Sequence, residues 1–382
     1  MSKTKCPLCF RFLPETTQQY VCVGSCSSTR SDVASAARGH ETHLKPILDA
    51  NGASHVTCPR CQTSTEQEVC PACLGEIPPN WRTALVTCVA MSGARATGKS
   101  LMIAAAKAQL ELLVERHHRS ALQGIGATER IFYDTYTRRL YEERQLLPPT
   151  PSIGDEQTLA REPLMFGFTE TRPDGTRQAR VLVFRDVAGE DLEALGERDM
   201  SLTFFSRADA VIALLDPLKV PAIRQMLADA VPSDSRVGGD GTAVLRHLLS
   251  LMTGKQVGAT TNIPLAVVLS KFDTMQDLRR VEGTEWSRIM NRPGSPLQRD
   301  PSLRSARFDS DDADLLHMEV RALLERLGAS GLTAMIEETA QRYRYFAVSA
   351  LGASPEGELL HAGGIAPFRV LDPIKWALGM AG

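Results

Sequence analysis

The sequence lacks the features that mark membrane-spanning, nucleic-acid-binding and secreted proteins. Its longest mainly apolar stretches, such as residues 84–91 and 210–215, are far shorter than the roughly 20 residues that span a bilayer, so we expect no transmembrane helix. Lys and Arg number 43 against 45 Asp and Glu, which leaves no general basic field for nucleic acid or anionic lipid. The N-terminus has no apolar run typical of a secretory signal, and we therefore expect a reducing, cytoplasmic location.

The composition also excludes a disordered or fibrous chain. Hydrophobic residues make up 43% and charged residues 23% of the 382 positions, as in ordinary soluble proteins. At roughly 150 residues per domain, this length predicts two or more folding units. A Pro-rich junction at residues 77–80 separates a small cysteine-rich region, residues 1–80, from a larger region, residues 81–382.

Cysteine is almost absent after residue 73, where Cys88 stands alone, and the other eight cysteines form four close pairs. Three pairs read Cys-Pro-x-Cys, a knuckle in which proline fixes φ and the next backbone N–H groups turn toward the first sulfur. Four such spacings rarely occur by chance in so short a segment, so buried free thiols are the weaker interpretation. Eight thiolates suffice for two tetrahedral zinc ions, and the predicted ligands are Cys6, Cys9, Cys22, Cys26, Cys58, Cys61, Cys70 and Cys73.

The order of the pairs predicts which cysteines share an ion. Sequential pairing forms one site from the first two pairs and a second site from the last two. An interleaved arrangement, in which the first pair shares an ion with the third, stays open, and His40, His43 and His55 are nearby substitute ligands. All-thiolate sites leave no open coordination position, so we expect a structural role. Residues 1–80 hold seven basic and seven acidic residues, a balance that favours protein contact over nucleic-acid contact.

After the cysteine-rich region, apolar segments alternate with helical patterns. This alternation predicts an α/β fold with a mainly parallel sheet and helices on both faces. The turn signal in residues 172–176 joins two strands directly and predicts one antiparallel pair. Residues 231–241 and 291–312 are rich in Gly, Pro, Ser and Asp, which indicates mobile surface loops. The predicted strands are 83–90, 164–171, 180–185, 210–215, 264–269 and 344–349, and the predicted helices are 99–117, 128–145, 190–207, 218–230, 242–253, 312–327 and 333–342, with one short helix in residues 30–55.

Residues 93–100 match the phosphate-loop pattern G-x-x-x-x-G-K-S between a predicted strand and a predicted helix. The glycines allow backbone N–H groups to wrap phosphate oxygens at the helix N-terminus. Lys99 would reach the β- and γ-phosphates, and the Ser100 hydroxyl would ligate Mg²⁺. We therefore predict a nucleotide site whose loop residues are Gly93, Ala94, Arg95, Ala96, Thr97, Gly98, Lys99, Ser100 and Leu101.

A D-x-x-G motif follows the strand predicted at residues 180–185. An acidic side chain beside the phosphate loop can hold magnesium through water. We therefore predict that Asp186 is a magnesium-binding residue. The backbone N–H of Gly189 would reach the γ-phosphate. The motif alone is common, but it begins 87 residues after Lys99 and at a strand end, a context that makes it specific.

Two short motifs at the ends of later strands favour guanine as the base. In Ser270-Lys271-Phe272-Asp273, the carboxylate can accept hydrogen bonds from the N1–H and the amine of guanine, while the lysine stem packs on the base. Adenine offers the wrong donors. In residues 349–351, a backbone N–H can reach guanine O6. Each motif alone is compatible with ordinary loop chemistry, and their order and strand-end positions strengthen the prediction. The predicted base-binding residues are Lys271, Asp273, Ser349, Ala350 and Leu351.

In this order, the four motifs closely resemble those of the Ras-like, translation-factor-related P-loop GTPases, over about residues 83–382. The Cys-Pro-x-Cys knuckles and residues 371–378 are similar to the bacterial double-GTPase family, whose members are predicted to work beside a second GTPase in conflict or defence systems. The resemblance implies a P-loop GTPase fold and a GTP/GDP switch, in which the γ-phosphate and Mg²⁺ order two loops. It also implies a first-switch threonine between residues 125 and 160, with Thr150 as the first choice and Thr158 as the second.

Three positions depart from the pattern of that family. Ser270 stands where Asn or Thr is usual, a change that keeps a hydroxyl to brace the loop. Glu190 follows D-x-x-G where many members have glutamine. Two roles stay open for its carboxylate: it positions or deprotonates the attacking water, or it repels the γ-phosphate and keeps the hydrolysis rate low. Arg95 replaces a frequent glycine, and we favour a solvated side chain there over a charge supplied in cis. The catalytic residues implied are Lys99, Thr150, Gly189 and Glu190.

Two functions are compatible with these observations. The first is a slow GTPase whose nucleotide state controls docking to a protein partner, with a second GTPase as the partner that the resemblance suggests. The second is a zinc-ribbon adaptor whose nucleotide site is structural and does not turn over. The two differ in whether the GTP- and GDP-bound forms bind a partner differently.

Overall fold

A computed structural model of the chain describes residues 4–50, 53–148, 162–187, 192, 200–226, 241–254, 256, 258–280, 285–355, 357 and 359–380. Its strands are β1 (Gln19–Val21), β2 (Thr29–Arg30), β3 (His43–Leu44), β4 (Ile47–Asp49), β5 (Val56–Thr57), β6 (Ser64–Thr65), β7 (Glu68–Val69), β8 (Leu85–Gly93), β9 (Gln123–Gly124), β10 (Leu164–Thr171), β11 (Arg177–Asp186), β12 (Ala210–Leu215), β13 (Leu265–Leu269) and β14 (Tyr343–Ala347). Its α-helices are α1 (Asp32–Arg38), α2 (Lys99–His118), α3 (Thr128–Phe132), α4 (Pro221–Met226), α5 (Gly241–Met252), α6 (Phe272–Asp277), α7 (Glu285–Met290), α8 (Ser310–Arg326), α9 (Ser330–Thr339) and α10 (Asp372–Met380).

A seven-stranded sheet forms the centre of the fold, with the order β14-β13-β12-β8-β11-β10-β9. The five strands from β14 to β11 in this order pair in parallel. β10 pairs antiparallel with β11 through the turn that the sequence indicates, and the short β9 adds an unpredicted antiparallel edge. The predicted α/β fold with a mainly parallel sheet is confirmed.

The central strands explain why helices cover both faces of this sheet. All six residues of β12 and all five of β13 are buried. Because neighbouring side chains of a strand point to opposite faces, such continuous burial requires cover on both sides. β8, which leads into the predicted phosphate loop, lies in the middle of the sheet, so its C-terminal end has neighbouring strands on both sides.

The segment of residues 291–312 is mostly exposed and irregular, as expected for a surface loop, but a few of its residues are buried. It contains a 3₁₀ turn at Pro296–Gln298, and Pro296 and Leu297 are buried. Ser302 is also buried, and α8 already begins at Ser310. Polar and small residues favour loops in sequence, but here backbone carbonyls of the segment accept hydrogen bonds from buried cations further along the chain. The other predicted loop, residues 231–241, lies outside the described residues except for its last position.

Within the described ranges, three short α-helices were not predicted from the sequence: α6, α7 and α10. α6 and α7 have six residues each, which is too short for a clear 3.6-residue period. α10 buries its polar residues Asp372 and Lys375 together with its apolar ones, so its sequence does not show separate polar and apolar faces. In the predicted helix 190–207, a 3₁₀ helix covers Met200–Arg207; of the preceding residues only Leu192 is described.

The cysteine-rich region forms small sheets, and part of it packs on the large one. Its sheets have the orders β4-β1-β7, β2-β3 and β5-β6, and α1 is the short helix expected between residues 30 and 55. Leu8, Phe10 and Trp81 belong to the same buried hydrophobic cluster as the central strands. Lys5 binds Asp209, which lies directly before β12, with 2.5 Å between Nζ and Oδ1. The described part of the chain contains no helix that is long and apolar enough to cross a membrane.

Candidate functional site

The loop between β8 and α2 has the backbone shape that its glycines permit. Gly93 and Gly98 have φ values of 154° and 88°, a region that glycine adopts without strain. A Cβ on Gly93 would lie 2.7 Å from both the Leu214 carbonyl oxygen and Thr97 Oγ1. Lys99 begins α2, and its Nζ donates to the Gly93 carbonyl across 2.9 Å. The lysine therefore lies folded over the loop at the N-terminus of a 20-residue helix.

A cavity of about 450 Å³ lies beside this loop and joins the predicted motifs. The predicted phosphate loop forms one part of it, and the loops after β13 and β14 form another. Gly93, Ala94 and Arg95 do not line it. The predicted residues that do are Ala96, Thr97, Gly98, Lys99, Ser100, Leu101, Lys271, Asp273, Ser349, Ala350 and Leu351.

Asp273 is the acidic side chain of the part of this cavity formed after β13 and β14. It is 9% exposed. Its Oδ1 accepts a hydrogen bond from Ser349 Oγ across 2.6 Å, and its Oδ2 accepts one from Ser354 Oγ across 3.2 Å. Two hydroxyl donors therefore fix the plane of the carboxylate. Lys271 adopts φ 51° and forms an ion pair with Asp216, with 2.9 Å between Nζ and Oδ2.

A strap formed by residues 366–369 holds the loop that carries Ser349. Ser349 and Phe368 exchange two backbone hydrogen bonds of 3.1 and 2.8 Å. Gly352 has φ 80°, and a Cβ there would lie 1.9 Å from the Ala366 carbonyl oxygen. Glycine is therefore required where the loop passes under the strap. Sequence reasoning missed both the strap and Ser354, because neither belongs to a recognised motif.

The predicted magnesium residue Asp186 is the last residue of β11. It lies opposite Met91 of β8, two residues before the phosphate loop begins. The pKa of Tyr136 is raised, mainly because the side chain is buried and secondly because of the negative charge of Asp186. The other predicted residues of the two switches, Thr150, Thr158, Gly189 and Glu190, lie outside the described residues.

The eight paired cysteines form two clusters of four sulfurs. Site A consists of Cys6, Cys9, Cys70 and Cys73, and site B of Cys22, Cys26, Cys58 and Cys61. In each site all four sulfurs lie within 4.8 Å of one another. The sequential pairing is wrong, and so is the interleaved arrangement that joins the first pair to the third. No histidine is part of either cluster among the residues that the structure describes.

The antiparallel pairing of β1 with β7 explains this grouping. Gln19, at the start of β1, lies opposite Val69, which leads directly to Cys70. The first and fourth pairs therefore meet at one end of this ribbon. β1 leaves its other end toward Cys22, where the segment containing the third pair enters β7. Strand direction thus decides which pairs meet.

The sulfur geometry of both clusters fits a tetrahedral metal ion. A zinc–sulfur distance of about 2.3 Å places tetrahedral sulfurs about 3.8 Å apart. The Cys6–Cys73 and Cys9–Cys70 sulfurs are 3.6 and 3.8 Å apart in site A, and the corresponding contacts of site B are 3.5 and 3.8 Å. Burial, followed by the neighbouring thiols, raises the pKa of Cys26 to about 12. A bound cation would offset this cost because it stabilises the thiolate.

Site A lies next to a buried arginine of the large sheet. Arg185 is 8% exposed, and burial lowers its pKa to about 10, while the negative charge of Cys73, Cys9 and Cys6 opposes that change. Its Nη1 donates to the carbonyl oxygen of Leu8, between the first two cysteines, and its Nη2 donates to that of Ala37 across 3.3 Å. Site A is therefore joined to β11.

No protein-family model matches the chain. A curated protein of Mycolicibacterium smegmatis, "Putative ESX-1 scaffolding and assembly protein SaeC", is 40% identical over 387 residues, covering 98% of both chains. The chain belongs to the SaeC family. Two solved structures of the Saccharomyces cerevisiae Ski7 GTPase-like domain, one bound to GDP and inorganic phosphate and one to GTP, also match. They are 11% and 10% identical with TM-scores of 0.29 and 0.30, and each match covers 78% of this chain and half of the yeast chain.

In this SaeC-family chain, the motifs separated by as much as 250 positions converge because their strands are neighbours. β8 pairs with β12, β12 with β13, and β13 with β14, all in parallel. The carboxyl ends of parallel strands lie at one edge of a sheet, where ligands bind in open α/β folds. The SaeC-family chain thus has two clusters of four cysteines in one region and a cavity at the carboxyl edge of its large sheet.

Proposed function

We propose that this chain is a guanine-nucleotide-binding protein and slow GTPase, and that its nucleotide state controls docking to a protein partner. One observation carries the proposal: the phosphate loop, Asp273 and the Ser349 loop line the same cavity. The lysine and backbone N–H groups of a helix N-terminus suit phosphates, and a carboxylate with a fixed plane suits the two donors of guanine.

Each part of the cavity has a task in this proposal. Lys99 exchanges its bond with the Gly93 carbonyl for the β- and γ-phosphate oxygens. Ser100 and Asp186 hold Mg²⁺, which supplies positive charge to the phosphates when it is bound. Asp273 selects guanine, with its carboxylate oriented by Ser349.

The remaining hydrolytic roles are assigned from sequence. In the proposal, Thr150 belongs to the first switch, the Gly189 N–H binds the γ-phosphate, and Glu190 positions the attacking water. Because a carboxylate also repels the γ-phosphate, we expect a low intrinsic rate.

The two cysteine clusters hold one zinc ion each in this proposal. Support comes from sulfur contacts of 3.5–3.8 Å in both clusters and from the all-thiolate donor set, which suits a closed structural zinc site. All nine cysteines are free thiols in the structure, in keeping with the proposed cytoplasmic location.

The relative described as an ESX-1 scaffolding and assembly protein supports a protein partner. We propose that this chain likewise works in the assembly of a protein complex and that GTP sets when the partner binds. The resemblance to double GTPases makes a second GTPase one candidate for that partner.

A second candidate function is an adaptor whose nucleotide is structural and is not hydrolysed. The scaffolding description of the relative favours it, and so does the joining of site A to the large sheet, which suits a permanently assembled protein. Phosphate release distinguishes the two functions, since only the switch turns over.

The test is equilibrium binding of fluorescent GTP, GDP and ATP in the presence of Mg²⁺, with metal content measured on the same samples. The purified chain should select guanine nucleotides over ATP and contain about two zinc ions. Asp273→Asn should weaken GTP binding by about a hundredfold, because two hydrogen bonds to a charged acceptor are lost, and should strengthen binding of xanthosine triphosphate.

Asp311→Asn is the matched control, since Asp311 lies exposed in the first turn of α8. It should bind GTP like the unmodified chain. Equal affinity for GTP and ATP, or an unchanged base preference in Asp273→Asn, would contradict the proposed guanine site.

A further inference from the structure

We propose that site A positions the magnesium-binding end of β11, acting through Arg185, and that its metal therefore strengthens binding of the magnesium–nucleotide complex. Site B has no such effect. This inference rests on the proposed function, because it takes Asp186 to be a magnesium residue.

The first link is the contact between Arg185 and the knuckle of site A. Nη1 of Arg185 donates to the carbonyl oxygen of Leu8, which lies between Cys6 and Cys9. This carbonyl belongs to a tight turn in which the Phe10 N–H donates to the Cys6 carbonyl across 3.1 Å. A metal held by both cysteines fixes that turn, and so it fixes the acceptor of Arg185.

Aromatic packing on the same side of the sheet reinforces this link. The guanidinium of Arg185 lies over the ring of Phe204, with 3.9 Å from Cζ to the ring centroid. Phe10, the residue after the knuckle, packs its ring edge-on against Phe204 at 5.4 Å. Phe10 and Phe204 are each 1% exposed. A displaced knuckle would therefore disturb the carbonyl and the ring that hold Arg185.

The charge of site A suits its buried neighbour. Four thiolates around one divalent ion carry a net charge of about −2. Arg185 is buried, and its Nη2 also donates to a neutral carbonyl, that of Ala37. A loaded site A thus supplies negative charge to a cation that burial would otherwise penalise.

The second link is the strand itself. Arg185 and Asp186 are adjacent, so their side chains leave β11 in opposite directions. Arg185 lies opposite Ala90 and Asp186 opposite Met91 in the register with β8. Because Arg185 is the residue that ties this strand end to site A, its contacts set where the next carboxylate lies relative to the phosphate loop.

Site B provides an internal comparison. Its cysteines Cys22 and Cys58 belong to a separate small hydrophobic cluster with Leu48. The cysteines Cys6, Cys70 and Cys73 of site A belong to the main core. Loss of metal from the two sites should therefore have different effects on nucleotide binding.

The first experiment compares Cys9→Ser with Cys26→Ser in the full-length protein, since both cysteines are half-buried ligands of their sites. Each variant should contain about one zinc ion fewer than the unmodified chain. Affinity for fluorescent GDP with Mg²⁺ should fall about tenfold in Cys9→Ser, as expected for losing a charge-assisted hydrogen bond that holds the bound geometry. It should stay within about twofold in Cys26→Ser.

The second experiment tests Arg185 without touching a cysteine. The Arg185→Met variant should keep both metal ions, and its affinity for GDP with Mg²⁺ should fall as much as in Cys9→Ser. The Arg185→Lys variant should recover part of this affinity, because lysine keeps the positive charge and one hydrogen-bond donor. Arg180→Met is the control on the same strand, since Arg180 binds Glu170 across 3.0 Å instead of site A. It should bind GDP normally.

Hydrogen–deuterium exchange of β11 provides a measurement that does not depend on nucleotide. Exchange at residues 183–186 should rise in Cys9→Ser and Arg185→Met and stay unchanged in Cys26→Ser. Equal losses of affinity in the two cysteine variants, or unmodified affinity and exchange in Arg185→Met, would overturn this inference and leave the proposed guanine site standing. An unmodified chain that binds no guanine nucleotide would overturn both.

Discussion

Arg369 is the side chain whose loss should destabilise this protein most clearly. It has 0% exposure, and its guanidinium donates to Asp372 Oδ2 across 2.6 Å and to Asp312 Oδ2 across 2.7 Å. Its Nε also donates to the carbonyl oxygens of Pro296 and Arg299. One buried cation thus joins the start of α10, the first turn of α8 and the segment before α8.

The substitution Arg369→Met keeps most of the side-chain volume and removes every one of these bonds. Breaking a buried ion pair by removing one partner costs about 3–5 kcal/mol, because the remaining charge stays buried without compensation. Asp372 is 7% exposed and cannot recover the loss by reaching water. With about 2–4 °C per kcal/mol for a domain of this size, the melting temperature should fall by roughly 10 °C.

The assay is thermal unfolding followed by circular dichroism, together with urea unfolding at 25 °C. Arg326→Met is the matched control, because Arg326 also pairs with a carboxylate, that of Glu285, but its side chain is 55% exposed. Exposed pairs contribute about 0–1 kcal/mol, so the control should unfold close to the unmodified chain. Equal losses of unfolding free energy in the two variants, or a change of less than about 1 kcal/mol in Arg369→Met, would contradict a stabilising role of this buried network.

Three further outcomes are expected. Gly93→Ala should abolish GTP binding in a fluorescence titration, because the added Cβ would lie 2.7 Å from two oxygens. The control Gly331→Ala should bind GTP normally, because no packing partner among the described residues lies within 4 Å of its added Cβ. Gly24→Ala should leave only the metal of site A in elemental analysis, since the added Cβ would lie 2.6 Å from Cys61 Sγ. Burial raises the pKa of Asp372 from 3.8 to about 6, so the folded state keeps this proton over a pH range where the unfolded chain has lost it. Stability from this group should therefore fall as pH rises from about 4 to 6, and urea unfolding of Asp372→Asn should lack that fall. Parallel pH profiles of the two proteins would contradict the assignment.

The large sheet could be predicted because its strands carry strong local signals. β10 and β12 have the bounds expected from their apolar runs, and the hairpin between β10 and β11 follows the turn residues. α2 begins at Lys99, where the phosphate-loop pattern requires a helix. These elements depend on periodicity and turn chemistry over a few residues, which a single sequence contains.

The strap and the buried cation network could not be predicted in this way. Ser349 pairs with Phe368 and Arg369 with Asp312, and in neither case does a local pattern link the two positions. The loop composition of residues 291–312 indicated a solvated surface, whereas a distant arginine and lysine bind its carbonyl groups. Such contacts depend on which elements pack together.

Three features of this protein could be read from single segments of the sequence: the paired cysteines, the G-x-x-x-x-G-K-S loop between a strand and a helix, and the short motifs that follow successive strands. Each of these is a short-range property, set by proline, glycine and the spacing of a few side chains. The grouping of the first cysteine pair with the fourth and of the second with the third depends on tertiary contacts, because the antiparallel register of β1 and β7 brings those ends together. The contact of Arg185 with the first knuckle likewise depends on how the cysteine-rich region packs against the large sheet.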